Sequence, residues 1–209
     1  MINLLIKKSG KGFYCMISNN KEDQKKIDKN KRRINKILES FLTDIVVLVD
    51  QQEKENKHII EYFNKLNVNF EVTHLNTGDY AFHYGNTDFR DIFSLERKNG
   101  IQELVGSLFA GRFEREIERA KELLYFEIFV ETGSLNDLLT GNYKIDPNAD
   151  KTKDVAKKIK DTKQSIRTIF YSRKAEYKLQ FNFLENKYLA GQYILGSIKY
   201  FLRNFLLHV

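Results

Sequence analysis

The sequence predicts an α/β fold, a sheet flanked by helices, and three observations carry that reading. The run IVVLV at 45–49 is continuous and β-branched, the pattern of a strand buried on both faces. From this run onward, segments of strand and helix periodicity follow in the order strand, helix, three strands, helix, strand. The 209 residues are 42% hydrophobic and 13% aromatic, enough apolar material for a sizeable core and too much for wholesale disorder.

Taken in order, residues 2–18 hold two short apolar stretches around KKSGKG, a hairpin with a Ser-Gly turn. Residues 21–42 are highly charged with a thin apolar stripe of Ile27, Ile34, Ile37, Leu38 and Phe41, which predicts a helix. Together they form a basic N-terminal arm, 1–43, ahead of a second unit, 44–209. The strand at 45–49 ends at Asp50, and an amphipathic helix follows through Ile59, Ile60, Phe63 and Leu66. VNFEVTHL alternates as a strand, GDYAFHY opens another, GNTD is a turn and DIFSLERK is the next strand. Leu104, Leu108, Phe113, Ile117, Ala120 and Leu124 recur at helical spacing over 101–124, with a break near Gly111, and YFEIFVE is again a buried strand. SLNDLL is a short helix with Ser134 and Asp137 in a capping-box relation. The only proline lies in the loop KIDPNADK. Val155, Ile159, Thr162, Ile166 and Ile169 share one face of a helix running to about Lys174, and KLQFNF alternates as a strand. Tyr193, Ile194, Ser197, Ile198, Phe201, Leu202 and Phe205 stripe a final helix. Of its aromatics, Tyr193, Tyr200, Phe201 and Phe205 are read as core or dimer contacts, which leaves a homodimer open.

Charge narrows the class of partner. The formal net charge is +7, yet the segment 21–40 carries eight basic residues against four acids and 151–178 carries ten against three. Basic surface gathered in two places suits a polyanion such as nucleic acid. A single cysteine, Cys15, excludes a disulfide framework and a cysteine-rich zinc site. His58, His74, His83 and His208 lack metal-ligand spacing and are read as surface or satisfied positions. No apolar run approaches the roughly 18 residues of a membrane span, and the opening MINLLIKKSGKG is too short in apolar residues for a signal peptide. The expectation is an intracellular protein with no membrane partner.

The informative cluster is Asp50, Glu53, Asp79 and the tripeptide Glu96-Arg97-Lys98. Asp50 sits at the carboxyl end of a buried strand, where α/β sheets place their sites. On a strand Glu96 and Lys98 point together and Arg97 points away. Acids from neighbouring strands beside a lysine make a hard, oxygen-lined site suited to Mg²⁺ (or Mn²⁺) with waters and a phosphate. Such an ion acidifies a bound water, and Lys98 would hold that water or stabilise a pentavalent oxyanion.

Beyond single residues, GDYAF, SLERKNGIQELVGSLFAGRFEREIERA and IFVETGSLNDLLTGNY together resemble the XPF/Hef family of structure-specific nucleases, over about Ile45 to Phe205. The likeness is greater to its shorter members from bacteria and their phages. The resemblance implies a restriction-endonuclease-like mixed sheet in 44–209 and a divalent metal, with branched DNA (junctions, flaps, single-strand/duplex borders) as substrate. It also implies DNA repair or recombination in the cytoplasm of a bacterial or phage-infected cell. Asp50 and Glu53 match the family's first acidic motif. Asp79 and Glu96 match its central metal ligands, with Asp50 as a third, and Arg97 and Lys98 complete the tripeptide. Arg112 and Arg115 fall on a helix close to the active site of such proteins, and the basic helix with Lys157, Lys158 and Lys160 is expected on DNA.

Two positions depart from the family pattern: Gln52 replaces an arginine, and Gln102, followed by Glu103, stands where the family has aspartate. An alternative is therefore a DNA-binding protein or nuclease subunit that keeps the fold with weakened catalysis.

Overall fold

A computed structural model describes residues 21–109, 112–144 and 155–208. The hairpin expected at 2–18, Cys15 and most of the KIDPNADK loop lie outside the described residues.

The chain runs α1 (Lys21–Glu39), α2 (Phe41–Asp44), β1 (Ile45–Asp50), α3 (Lys57–Lys65), β2 (Asn69–Thr73), β3 (Tyr80–Tyr84), β4 (Thr87–Asp88) and β5 (Phe93–Gly100). It continues α4 (Ile101–Phe109), α5 (Arg112–Ala120), β6 (Tyr125–Thr132), α6 (Leu135–Thr140), α7 (Val155–Tyr177), β7 (Gln180–Phe183) and α8 (Ala190–His208). The expected order of strands and helices is present with one addition: part of the GNTD turn, Thr87–Asp88, is a short strand, β4, so four strands and not three separate α3 from α4. Ser134 and Asp137 form the capping box, and Gly141 ends α6 at φ 76°.

The seven strands of the described residues form one mixed sheet in the order β2-β1-β3-β5-β6-β7, with β4 beside β3. β3 is antiparallel to both β1 and β5, whereas β1–β2, β5–β6 and β6–β7 are parallel. Helices cover both faces. One layer, α1, α3 and α8, packs on Ile45, Val47, Val49, Phe82, Phe93, Leu95 and Phe129. Its centre is aromatic, with Phe93 and Phe201 rings 4.9 Å apart and Phe82 and Phe89 stacked at 4.5 Å. Ile34 and Leu38 of α1 are buried in this same core. Phe201 and Phe205 are core residues, as their spacing suggested, whereas Tyr200 is exposed. The other layer, α4, α5 and α7, packs on Ile128 and Val130 through Leu104, Phe113, Ile166 and Phe170. No described helix is long and apolar enough to cross a membrane.

β3 and β5 share one registered pair, Tyr80 with Leu95, and diverge beyond it. Gly78, at φ +71°, turns the chain into β3 at this point; a Cβ there would come within 2.0 Å of Ser94 Oγ.

Candidate active site

The site grows out of that divergence. Asp79 donates its backbone N–H to Leu95 O at 2.8 Å, and its Oδ2 accepts the Arg97 backbone N–H at 2.7 Å. A side chain thus continues the ladder that the two backbones abandon, and it fixes the Asp79 carboxylate beside β5.

Along β5 the two-residue period sorts the functional side chains. Phe93 and Leu95 face the α1/α3/α8 layer, so Arg97 faces it as well, while Glu96 and Lys98 point to the α4/α5 side. Lys98 Nζ donates to Glu96 Oε1 at 2.6 Å and to Glu116 Oε2, from α5, at 3.3 Å. Glu96 and Lys98 are both buried. These groups open on a cleft of about 470 Å³ that Glu53, Asp79, Glu96, Lys98, Glu103 and Glu116 line.

The electrostatics follow from crowding acids out of water. Burial, then the charges of Glu96 and Glu53, push the Asp79 carboxyl well above its usual range. Burial pushes Glu96 up to about 7 against the pull of Lys98, with Glu116 adding to the rise. Burial also raises Glu53, opposed by Arg97. For Lys98 burial works downward, but Glu96 and Glu116 outweigh it and hold the ammonium firmly protonated. Two neighbouring desolvated carboxylates are relieved by protons or by a cation, and their hard oxygens fit a divalent ion that keeps several waters. Among the described residues no three His, Cys, Asp or Glu side chains form a ready-made ligand set.

On the other face Arg97 is a hub. Its Nε and Nη2 donate to Glu131 Oε1 and Oε2 at 2.8 and 2.9 Å, its Nη1 to Glu53 Oε1 at 2.9 Å and its Nη2 also to Glu55 O at 3.0 Å.

The structure does not bring every expected residue together. Asp79, Glu96, Lys98, Glu53 and Arg97 meet, but Asp50 does not line the cleft. Its Oδ1 accepts from Gln52 N and its Oδ2 from Leu75 N, each at 2.8 Å. It ends β1 with each oxygen accepting one backbone N–H, so its carboxylate is oriented by the backbone and not by the cleft. Gln102 turns away, exchanging two hydrogen bonds with the Lys144 backbone at 2.8 and 3.0 Å, while Glu103 lines the cleft and accepts Asn99 N–H at 2.8 Å. Gln52 is exposed beside the cleft. Arg115 is exposed on α5, and α7 carries Lys157, Lys158 and Lys160 in its first two turns.

Glu116 and Glu131 were missed in the sequence. The signal for Glu131 was there: a charge ending the apolar strand YFEIFVE must find a partner if buried. Glu116 offered less, since it only flanks the Phe113–Ile117 stripe of its helix.

In sequence, the ERCC4 domain family matches residues 49–171. None of the curated proteins matches the chain. Among solved structures, XPF from Aeropyrum pernix is similar over 74% of this chain and 65% of its own, at 18% identity and a TM-score of 0.49. The same protein in complex with DNA gives 74% and 64% coverage, 20% identity and 0.49. The chain thus spans under two thirds of those structures.

Proposed function

The chain belongs to the ERCC4 domain family, and we propose that it is a divalent-metal-dependent DNA endonuclease hydrolysing phosphodiesters at junctions, flaps and single-strand/duplex borders. The observation that carries this reading is the juxtaposition, in one open cleft, of two crowded carboxylates, Asp79 and Glu96, with the Lys98 ammonium 2.6 Å from Glu96.

Asp79 and Glu96 would hold Mg²⁺ or Mn²⁺, which when bound supplies an acidified water and a polarised phosphate. Asp79 has Oδ1 to offer, because Oδ2 is committed to the Arg97 backbone. Glu96 must give up its proton to serve. Lys98 stays protonated, so its role is to stabilise charge developing on the phosphoryl oxygens rather than to remove a proton. Arg97, 3% exposed, would orient Glu53 through its guanidinium and Asp79 through its backbone N–H. Arg115 on α5 and the lysines of α7 would meet DNA phosphates.

The competing reading, a DNA-binding protein or nuclease subunit with weakened catalysis, draws on one observation: Gln102 leaves the family's aspartate position without a carboxylate, turned from the cleft. Glu103 and Glu116 keep the cleft acidic without it. Incubation of the chain with junction, flap and linear DNA in Mg²⁺, Mn²⁺ or EDTA separates the two. Metal-dependent scission of the branched substrates is expected; binding without scission in both metals would favour the competing reading.

A further inference from the structure

We propose that Glu131 is a positioning residue for this cleft: from the opposite face of the sheet it clamps Arg97, and through Arg97 it fixes the 52–55 segment that forms one wall. Its catalytic consequence rests on the nuclease reading above; the structural part stands on geometry alone.

Glu131 is fully buried and cannot touch a substrate. Phe129 faces the α1/α3/α8 layer, and two residues on along β6 Glu131 faces it too, where Arg97 arrives from β5. Both carboxylate oxygens are engaged. Oε1 accepts Arg97 Nε at 2.8 Å and His58 Nε2 at 2.7 Å, and Oε2 accepts Arg97 Nη2 at 2.9 Å.

Held this way, the guanidinium has two remaining attachments, and both are on the wall: Glu53 Oε1 at 2.9 Å and Glu55 O at 3.0 Å. Gln52, Glu53, Lys54 and Glu55 all line the cleft. The segment leads directly into α3, whose first turn carries His58. Glu131 therefore grips the wall twice, through Arg97 at its middle and through His58 just past its end. Arg97 also gives Asp79 its backbone N–H at 2.7 Å, so a shift of this residue reaches a proposed metal ligand. Without Glu131 the buried guanidinium would keep unpaired N–H groups and be drawn towards the acids of the cleft.

The test is Glu131→Gln, read by hydrogen exchange of the 52–55 amides and by kcat and KM on a flap substrate. An amide cannot accept three donors as the carboxylate does. Exchange at 52–55 should accelerate, and kcat should fall about 10- to 100-fold, the usual scale for loss of an outer partner. KM for DNA should stay within about twofold, because no DNA contact is removed. His58→Ala should move the same amides by less, and His58→Gln, which returns an N–H donor, should recover most of that change. If Glu131→Gln does not fold, the His58 pair decides by the same readouts. Unchanged exchange at 52–55 overturns the proposal, as does a fall in activity that only tracks the unfolded fraction. If the wild type cleaves no DNA, the nuclease reading fails by itself, and exchange still decides whether Glu131 holds the wall.

Discussion

At the residue scale, burial and pairing separate the acids into different tasks. Asp50 and Asp79 are both aspartates at strand ends, yet Asp50 spends both oxygens on backbone N–H groups while Asp79 spends one. Asp50→Asn should therefore lose one charge-assisted bond, lower stability by about 1–2 kcal/mol in chemical denaturation, and leave the catalytic rate of the folded protein near wild type. A total loss of cleavage at unchanged stability would return Asp50 to the metal set. Glu96 yields a pH signature. Its carboxyl is raised in the folded chain from about 4.5 to about 7, so the folded state binds the proton more tightly than the unfolded one. That contribution is full below about 4.5 and is lost as pH rises through about 7. In metal-free buffer, then, Tm should decline by a few degrees from pH 5 to pH 8. Millimolar Mg²⁺ should recover it at pH 8, and it should have much less effect on Asp79→Asn. An equal Mg²⁺ response in wild type and mutant would place the ion elsewhere.

At the scale of elements, α4 shows how a one-residue difference in position becomes a difference in face. Gln102 and Glu103 are neighbours, but successive helix positions diverge by about 100°, and the structure sends Gln102 to Lys144 and Glu103 to the cleft. Gln102→Asp should therefore give no gain in cleavage and should cost the paired bonds to Lys144. Glu103→Gln should reduce cleavage severalfold, measured under single-turnover conditions. A large gain from Gln102→Asp would show that the position matters after all. The elements were legible in the sequence because their signals are local. The apolar run of β1, the alternation along β5, the Ser134–Asp137 box and the stripe on α8 each lie within one segment. Parity along β5 likewise separated Glu96 and Lys98 from Arg97. Strand order and the capture of Asp50 by Leu75 N, 25 residues away, are set by packing between segments and leave no local trace. Glu116 became a partner of Lys98 for the same reason: only the fold brings α5 against β5.

At the scale of the whole molecule, an acidic cleft is set in a basic protein. The cleft gathers Glu53, Asp79, Glu96, Glu103 and Glu116 around one exposed opening, although the chain carries a net charge of +7. On the proposed nuclease reading, DNA is drawn in by surfaces other than the cleft itself. Replacing Lys157, Lys158 and Lys160 by Gln should flatten the plot of log affinity against log salt, by up to about 0.9 for each phosphate no longer neutralised. An unchanged slope would mean that this face of α7 stays in solvent. The proposed function makes Asp79, Glu96 and Lys98 a metal-assisted phosphodiesterase centre. Its most direct test is cleavage of a labelled flap DNA by wild type, Asp79→Asn and Lys98→Ala, in Mg²⁺ and in EDTA, with binding measured in parallel. Scission is expected from the wild type in Mg²⁺ alone, and from neither variant despite near-normal DNA binding. Wild-type turnover by either variant, or scission that survives EDTA, would contradict the claim.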